Sequence, residues 1–241
     1  MLARAGAAGD GRVAQNGQVT VTDLMLPLFE DEAEPRVAIE TRTSRPTASA
    51  LAGYRGRIVA DASDRVAWLR ARSRGITATD VAKLCTPASV RAAARAKLHG
   101  TGFTGNAYTD HGKAREPQIA AWVLQEHGIA PSRALFRSQA DARHLATPDG
   151  LVERPGGALE LAEIKTTNKA WRSIPRHYLR QVWWQQYVVG AERTLFVWER
   201  HEDFVPVGEP ECRWIDRDDN EIAMLVGLAD QLLALLATGR A

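Results

Sequence analysis

The sequence contains few of the residues that indicate a disulfide-rich or metal–thiolate protein. Among 241 residues there are only two cysteines, Cys85 and Cys212, far apart in the chain. Two thiols exclude a disulfide framework, a four-thiolate zinc site and a cysteine-ligated iron–sulfur cluster. The six histidines show no zinc-binding spacing, so the sequence predicts no histidine-based metal site.

A long hydrophobic run is also missing. No basic segment followed by an apolar one opens the chain, as a secretory signal would. The most apolar stretch, residues 222–237, contains Asp230 and Gln231 and is shorter than the roughly 20 residues of a membrane-spanning helix. We therefore expect a soluble intracellular protein.

Composition separates a globular domain from an N-terminal arm. Hydrophobic residues make up 45% and charged residues 25% of the chain, which excludes wholesale disorder, collagen and coiled coil. Residues 1–22 are instead small and polar, residues 23–34 combine an apolar cluster with five acids and no base, and residues 35–53 return to Pro, Thr, Ser and Ala. We predict a disordered arm over 1–55 and a folded domain over 56–241.

Positive charge is concentrated in one part of the chain, although the net charge is only +2. Residues 54–116 contain twelve Lys or Arg and five Asp or Glu. Such a basic region is typical of a protein that binds a phosphate backbone. Helices rich in alanine and arginine also carry solvated arginines, so charge alone leaves both interpretations open.

Hydrophobic periodicity predicts a mixture of helices and strands. We expect helices near 64–73, 79–84, 87–99, 113–127, 174–189 and 218–237. We expect strands near 133–138, 143–147, 159–165, 194–199 and 211–216. Helices followed by strands interleaved with helices favour one α/β or α+β domain.

The strongest chemical signal is a pair of carboxylates with a lysine around one predicted strand. Glu163 and Lys165 share a face of that strand, whereas Ile164 points to the other. Asp149, in a Pro-Asp-Gly turn, is expected at the tip of a preceding neighbouring strand. Carboxylates suit Mg²⁺, and an ammonium can neutralise charge on a phosphate. A surface Glu–Lys pair beside an unrelated turn explains the spacing equally well.

Two further segments carry candidate side chains. Glu116 follows Gly112 at a predicted helix start, where it is either a third carboxylate or a partner of the helix dipole. Gln181 and Gln185 are one helical turn apart. They could orient water or phosphate oxygens, or form a solvated helix face.

Five motifs together resemble the lambda-type exonucleases, also called YqaJ-like viral recombinase nucleases. In order they are Trp68-Leu-Arg-Ala-Arg72-Ser-Arg-Gly75-Ile-Thr-Ala-Thr79, Gly112…Glu116, Pro148-Asp149-Gly, Glu163-Ile-Lys165 and Tyr178-Leu-Arg-Gln181-Val. The resemblance runs from about residue 64 to 237. It implies a restriction-endonuclease-like fold of the PD-(D/E)XK superfamily, with a mixed central β-sheet flanked by helices.

The resemblance also implies roles for the site residues. Asp149 and Glu163 would be Mg²⁺ ligands together with the carbonyl of Ile164. Glu116 would support this site or a second metal ion, and Lys165 would be the catalytic lysine.

The same resemblance makes Gln181 an active-site glutamine. Arg72, Thr79 and Thr147 would form a pocket for a 5′-terminal phosphate. Thr79 and Thr147 stand where serine is familiar in the family, a change that keeps the hydroxyl donor.

The function implied is a 5′-to-3′ exonuclease on linear double-stranded DNA, dependent on Mg²⁺ or Mn²⁺. It would leave 3′ overhangs for phage-type recombination with a single-strand annealing protein. A homotrimer and a cytoplasmic location, in a bacterial cell or phage-infected host, follow from the same resemblance. Alternatives are an endonuclease or 3′-to-5′ nuclease on the same fold, or a non-catalytic module that binds DNA ends.

Overall fold

The computed structural model describes residues 53–100 and 105–239. The predicted arm therefore lies outside the described residues, except for its last positions. Residues Tyr54–Arg57 form a short 3₁₀ turn, and the ring of Tyr54 lies 6.3 Å from that of Phe136 in the core. Arg57 donates hydrogen bonds of 2.8 and 2.6 Å to the carbonyls of Val188 and Val189, which fixes this turn to the domain.

The described residues form six helices and ten strands. The helices are α1 (Arg65–Ser73), α2 (Ala78–Val81), α3 (Pro87–His99), α4 (Ala107–His127), α5 (Arg176–Val189) and α6 (Asp219–Thr238). The strands are β1 (Ile58–Asp61), β2 (Ile76–Thr77), β3 (Ala130–Pro131), β4 (Ala134–Arg137), β5 (His144–Ala146), β6 (Gly150–Glu153), β7 (Leu159–Thr167), β8 (Arg193–Glu202), β9 (Val205–Pro206) and β10 (Glu211–Asp216).

The strands make two mixed sheets. The first has the order β1-β4-β5-β2, with β2 parallel to β5 and the other pairs antiparallel. The second has the order β10-β8-β7-β6-β3, and β9 pairs with β8. Within it β7 and β8 are parallel, and α5 provides the crossover that a parallel pair requires. This mixed α/β architecture flanked by helices is the fold class predicted from the sequence.

Helices cover both faces of β7. On one face, Ile119 and Val123 of α4 pack with Ile164. On the other, Leu161 joins the larger core that contains Trp184 of α5. Because side chains alternate along a strand, Ile164 points towards α4, whereas Glu163 and Lys165 share the face of Leu161 and point towards α5.

Helix α6 closes the larger core. It is 20 residues long, longer than the apolar stretch identified in the sequence, and its length and composition alone would allow it to cross a membrane. In the fold, however, Leu225 and Leu232 are fully buried, and the helix packs against α3 and α5.

Two local predictions were wrong. Helix α4 begins at Ala107 rather than near 113, because the side chain of Asn106 caps it by accepting a 3.0 Å hydrogen bond from the Thr109 amide. Gly112 is thus inside α4, where a Cβ atom would lie 3.3 Å from Oγ1 of Thr166, so glycine permits the helix to approach β7 closely. Asp149 precedes the unpredicted strand β6 instead of ending a strand.

Candidate active site

A β-hairpin formed by β6 and β7 brings the predicted carboxylates together. The strands pair from Gly150↔Ala162 to Glu153↔Leu159. Gly156 and Gly157 allow the connecting turn, with φ of +96° and +88°. Antiparallel pairing places Asp149 beside the middle of β7, where the Ile164 amide donates a 2.7 Å hydrogen bond to its Oδ2.

Glu163 is the most enclosed carboxylate of the cluster, with 1% exposure. Its Oε1 accepts hydrogen bonds from the ammonium of Lys165 and from the side-chain amide of Gln181. Its Oε2 accepts a 2.6 Å hydrogen bond from Nε2 of Gln185, which is also buried. One residue of β7, Lys165, and two residues one turn apart on α5 therefore converge on the buried carboxylate of Glu163.

The electrostatics of the cluster are dominated by burial. Burial and the neighbouring charge of Glu163 raise the pKa of Asp149 well above its ordinary value, although Lys165 acts in the opposite direction. Burial disfavours the charged form of Lys165, but Glu163 and Asp149 outweigh it and raise the pKa of the ammonium. The lysine is therefore cationic at neutral pH and partly balances the two acids.

Glu116 approaches the cluster from the other side of β7. It lies on α4 with an exposed side chain, and its charge adds to burial and Glu163 in raising the pKa of Asp149. The preceding residue, Arg115, holds this part of α4 against β8 through hydrogen bonds of 2.9 and 2.7 Å to the buried Glu199.

The chemistry of these donors fits a hard divalent cation. Asp149 and Glu163 offer carboxylate oxygens on either side of the Ile164 backbone, and hard cations prefer oxygen ligands. The raised pKa of Asp149 means that a second negative charge is unfavourable here in the protein alone, and a cation would relieve this repulsion.

A second group of candidate ligands was not predicted from the sequence. Asp141, His144 and Asp230 bring one donor atom each to within 4.8 Å of one another. The sequence predicted no histidine-based metal site from spacing, and it gave no indication that these three side chains lie together. Spacing could not reveal this group, because Asp230 comes from α6 and the other two residues from the region of β5.

Two residues of the predicted phosphate pocket, Arg72 and Thr147, are in contact at the end of the first sheet. Strands β2 and β5 run parallel with Thr77 opposite Leu145, so the residues that follow both strands lie at the same edge. Nη1 of Arg72, on α1, lies 3.4 Å from Oγ1 of Thr147, and its guanidinium lies 4.4 Å from the ring centroid of Trp68. Thr79 is exposed on α2 at this edge.

No carboxylate in the part of the chain that the structure describes forms a direct ion pair with Arg72. Burial lowers the pKa of its guanidinium, and the nearby carboxylate of Asp80 counteracts this effect. Among the described residues, Asp80 forms its salt bridge with Lys97, at 3.1 Å, rather than with Arg72. A half-buried guanidinium beside a hydroxyl is suited to binding an anion.

Sequence reasoning missed three contributors to the site. Gln185 was recognised only as one turn from Gln181, and its contact with Glu163 could not be read from periodicity. Arg115 and Glu199 are distant in sequence and carry no motif.

Comparisons with known proteins find a matching family model and similar solved structures. The family model described as the YqaJ-like viral recombinase domain matches residues 67–192. An alkaline exonuclease from Laribacter hongkongensis is 27% identical, with a TM-score of 0.57, over 71% of this chain and 92% of the other. The same enzyme in complex with dAMP gives the same values.

A phage related exonuclease from Haemophilus somnus 129PT has a TM-score of 0.52 at 15% identity, over 68% of this chain and 96% of the other, and so shares the fold. A search of curated proteins finds no match.

Proposed function

Because this chain belongs to the YqaJ-like viral recombinase family, a family of phage-type recombination nucleases, we propose that it is a Mg²⁺-dependent 5′-to-3′ exonuclease on linear double-stranded DNA. The observation that carries the proposal is the cluster that Asp149 and Lys165 form around the buried Glu163 at the β6–β7 hairpin. The similarity to an alkaline exonuclease, which has also been determined with dAMP, supports a substrate made of deoxynucleotides.

The protein's own residues have separate tasks in this proposal. Asp149, Glu163 and the carbonyl of Ile164 would hold the cation, with Glu116 as a further acid. When bound, a divalent cation polarises a phosphodiester and activates water for its hydrolysis. Lys165, which is cationic between the two carboxylates, neutralises charge that develops on the phosphate.

Gln181 and Gln185 would orient this centre through Glu163. Both donate to its carboxylate from the same side of α5, one to each oxygen. With both oxygens engaged, the carboxylate has little freedom to rotate. Preorganisation of this kind keeps the cation ligands in the geometry that the reaction needs.

The proposed 5′-to-3′ direction of digestion depends on Arg72, Thr79 and Thr147. A 5′-terminal phosphate bound at the Arg72–Thr147 contact would set the direction of travel. The basic residues of 55–115 would follow the backbone without reading sequence.

The 3′ overhangs would then be passed to a single-strand annealing protein. We further propose a homo-oligomer, a trimer by family resemblance, acting in the cytoplasm. The nuclease domain would span 56–241, with residues 1–55 as an arm outside it.

The test uses a linear duplex with a 5′ phosphate at one end and a 5′ hydroxyl at the other, beside a closed circle. Wild-type protein with Mg²⁺ should degrade the phosphorylated strand from its 5′ end, leave the circle intact and lose activity with a chelator. Lys165→Ala should bind the duplex without cutting it, whereas the exposed Lys169→Ala should cut normally.

The alternatives predict different products. Cutting of the circle would indicate an endonuclease, and loss of label from the 3′ end would reverse the polarity. Binding without cutting by the wild-type protein would indicate a non-catalytic module. Full activity of Lys165→Ala would remove the catalytic role of that lysine.

A further inference from the structure

His144 has a buried nitrogen that the protein alone does not satisfy. The side chain is 1% exposed, and Nε2 has no hydrogen-bond partner among the described residues. It lies 3.3 Å from Oδ1 of Asp230, within ion-pair distance but without the alignment of a hydrogen bond. A buried polar atom in this condition calls for an explanation, such as an ion.

Of the two ring nitrogens of His144, Nε2 is the one that faces Asp230. Nδ1 lies 3.0 Å from the hydroxyl of Tyr187, and the ring lies against Trp184 at a centroid distance of 4.8 Å. With hydrogen on Nδ1 and the tyrosine oxygen accepting it, Nε2 offers a lone pair towards the carboxylates. Ligating histidines are commonly oriented in this way by a partner on their other nitrogen.

Two carboxylates complete the arrangement. Asp141 and Asp230 each bring an oxygen to within 4.8 Å of a ring nitrogen of His144 and of one another. Arg143 donates to Asp141 at 3.1 and 2.7 Å, and so orients this carboxylate. The side chain of Asp230 is 59% exposed, which leaves one side of the group open to water.

The separation of Nε2 and Oδ1 is that of two ligands on one tetrahedral ion. Ligands about 2.0–2.1 Å from a tetrahedral zinc ion are separated from each other by roughly 3.3 Å. The observed distance between these two atoms is 3.3 Å.

We propose that Asp141, His144 and Asp230 form a Zn²⁺ site, separate from the catalytic carboxylates, that ties α6 to the start of β5. One imidazole and two carboxylates are donors that zinc accepts, with water completing the coordination, whereas Mg²⁺ prefers oxygen ligands alone. His144 begins β5, and Thr147 follows that strand, so this site lies at the opposite end of β5 from the phosphate pocket.

The ion would strengthen a contact between distant parts of the chain. Asp230 belongs to the last helix, whereas Asp141 lies in the loop before β5. Zinc would therefore stabilise the packing of α6 on the first sheet, and its loss should loosen that helix first.

The experiment measures Zn²⁺ binding to chelator-treated full-length protein by competition with a chromophoric chelator, with Mg²⁺ in excess to occupy the catalytic carboxylates. Thermal denaturation with and without Zn²⁺ gives an independent readout.

Asp230→Asn is the main variant because its side chain is exposed, and His144→Gln is the second. Glu126→Gln, an exposed acid on α4, is the matched control, and Asp149→Asn reports on the catalytic cluster.

Wild type, Glu126→Gln and Asp149→Asn should each bind one Zn²⁺ per chain and melt at higher temperature with it. Asp230→Asn should bind at least about tenfold more weakly and lose the Zn²⁺-dependent shift. Zn²⁺ binding by Asp230→Asn equal to that of wild type would overturn the proposal. Loss of binding in Asp149→Asn alone would do the same, because the ion would then occupy the catalytic carboxylates.

Discussion

The backbone amide of Ile164 donates a 2.7 Å hydrogen bond to the carboxylate of Asp149, so the strand that carries Glu163 and Lys165 also fixes the second acid. The position of the carboxylates depends on the register of β6 with β7, in which Gly150 pairs with Ala162. A slip by one residue would turn Glu163 and Lys165 to the opposite face. The site is thus built into the pairing of two strands.

Asp149→Asn should stabilise the metal-free protein and abolish cleavage. Burial and Glu163 raise the pKa of Asp149, so its charged form weakens the folded state near neutral pH. Asparagine keeps an acceptor for the Ile164 amide and carries no charge. The free energy of unfolding in chelator should rise by about 0.5–2 kcal/mol, as measured by urea denaturation.

The same substitution should change the pH profile of stability in a defined direction. A carboxyl whose pKa is raised on folding stabilises the folded state at low pH, and this contribution is lost as the pH rises through the folded-state pKa. In Asp149→Asn, the free energy of unfolding should not fall in this way as the pH rises, because asparagine does not titrate. Asp110→Asn, which removes an exposed acid of α4, should follow the wild-type profile, and equal profiles for all three proteins would contradict the expectation.

Arg72→Gln should remove the preference for 5′-phosphorylated ends. The guanidinium would lose a charge-assisted contact with the terminal phosphate, worth about 1.5–3 kcal/mol, or roughly 10- to 150-fold in rate. Digestion of the phosphorylated end should slow by this factor, whereas digestion of a hydroxyl end should change little. The neighbouring Arg70→Gln, an exposed change on the same helix, should affect both ends alike. Equal slowing of both ends by Arg72→Gln would exclude the pocket.

Glu160→Gln should destabilise the protein and reduce the fall in its free energy of unfolding at acidic pH. Glu160 is 4% exposed and accepts hydrogen bonds of 2.8 Å from both Arg154 and Arg193. Burial opposes its charge, but the two arginines outweigh burial and lower its pKa. Its contribution is therefore present above the unfolded-state pKa of about 4.3 and lost as the pH falls through the folded-state value.

The loss at neutral pH should be about 1–3 kcal/mol by urea denaturation. Glu153→Gln on β6 is the matched control, because its pairing with Arg55 is exposed and worth at most about 1 kcal/mol. If both variants lost the same free energy of unfolding, the buried ion pairs of Glu160 would stabilise the protein no more than the exposed pair of Glu153 does.

The sequence predicted several helices and five of the strands near their observed bounds. Helices α3, α5 and α6 lie within two residues of their expected bounds, because each has a clear apolar period. Strands β2 and β6 were not predicted, and they form because neighbouring strands provide their hydrogen-bonding partners. The alternation of side chains along the strand was enough to predict that Glu163 and Ile164 point to opposite faces. The contact between Gln185 and Glu163 could not be predicted, because it depends on how α5 packs over β7.

Gln185→Leu should lower turnover without weakening DNA binding. Nε2 of Gln185 donates a 2.6 Å hydrogen bond to Oε2 of Glu163, and leucine would leave this oxygen without that donor. Substitution of residues that orient metal ligands typically lowers activity or metal affinity about 10- to 100-fold. The rate at low Mg²⁺ should fall by this amount and recover partly as Mg²⁺ is raised.

Gln186→Leu separates this effect from loss of folding. Gln186 is equally buried but donates to Oγ1 of Thr194 at 3.1 Å and to the carbonyl of Ile215 at 2.9 Å, away from Glu163. Both variants should lower the melting temperature, but only Gln185→Leu should shift the Mg²⁺ dependence of the rate. A Mg²⁺ dependence unchanged from wild type in Gln185→Leu would mean that this glutamine contributes to packing alone, and Gln181 would then be the residue that orients Glu163.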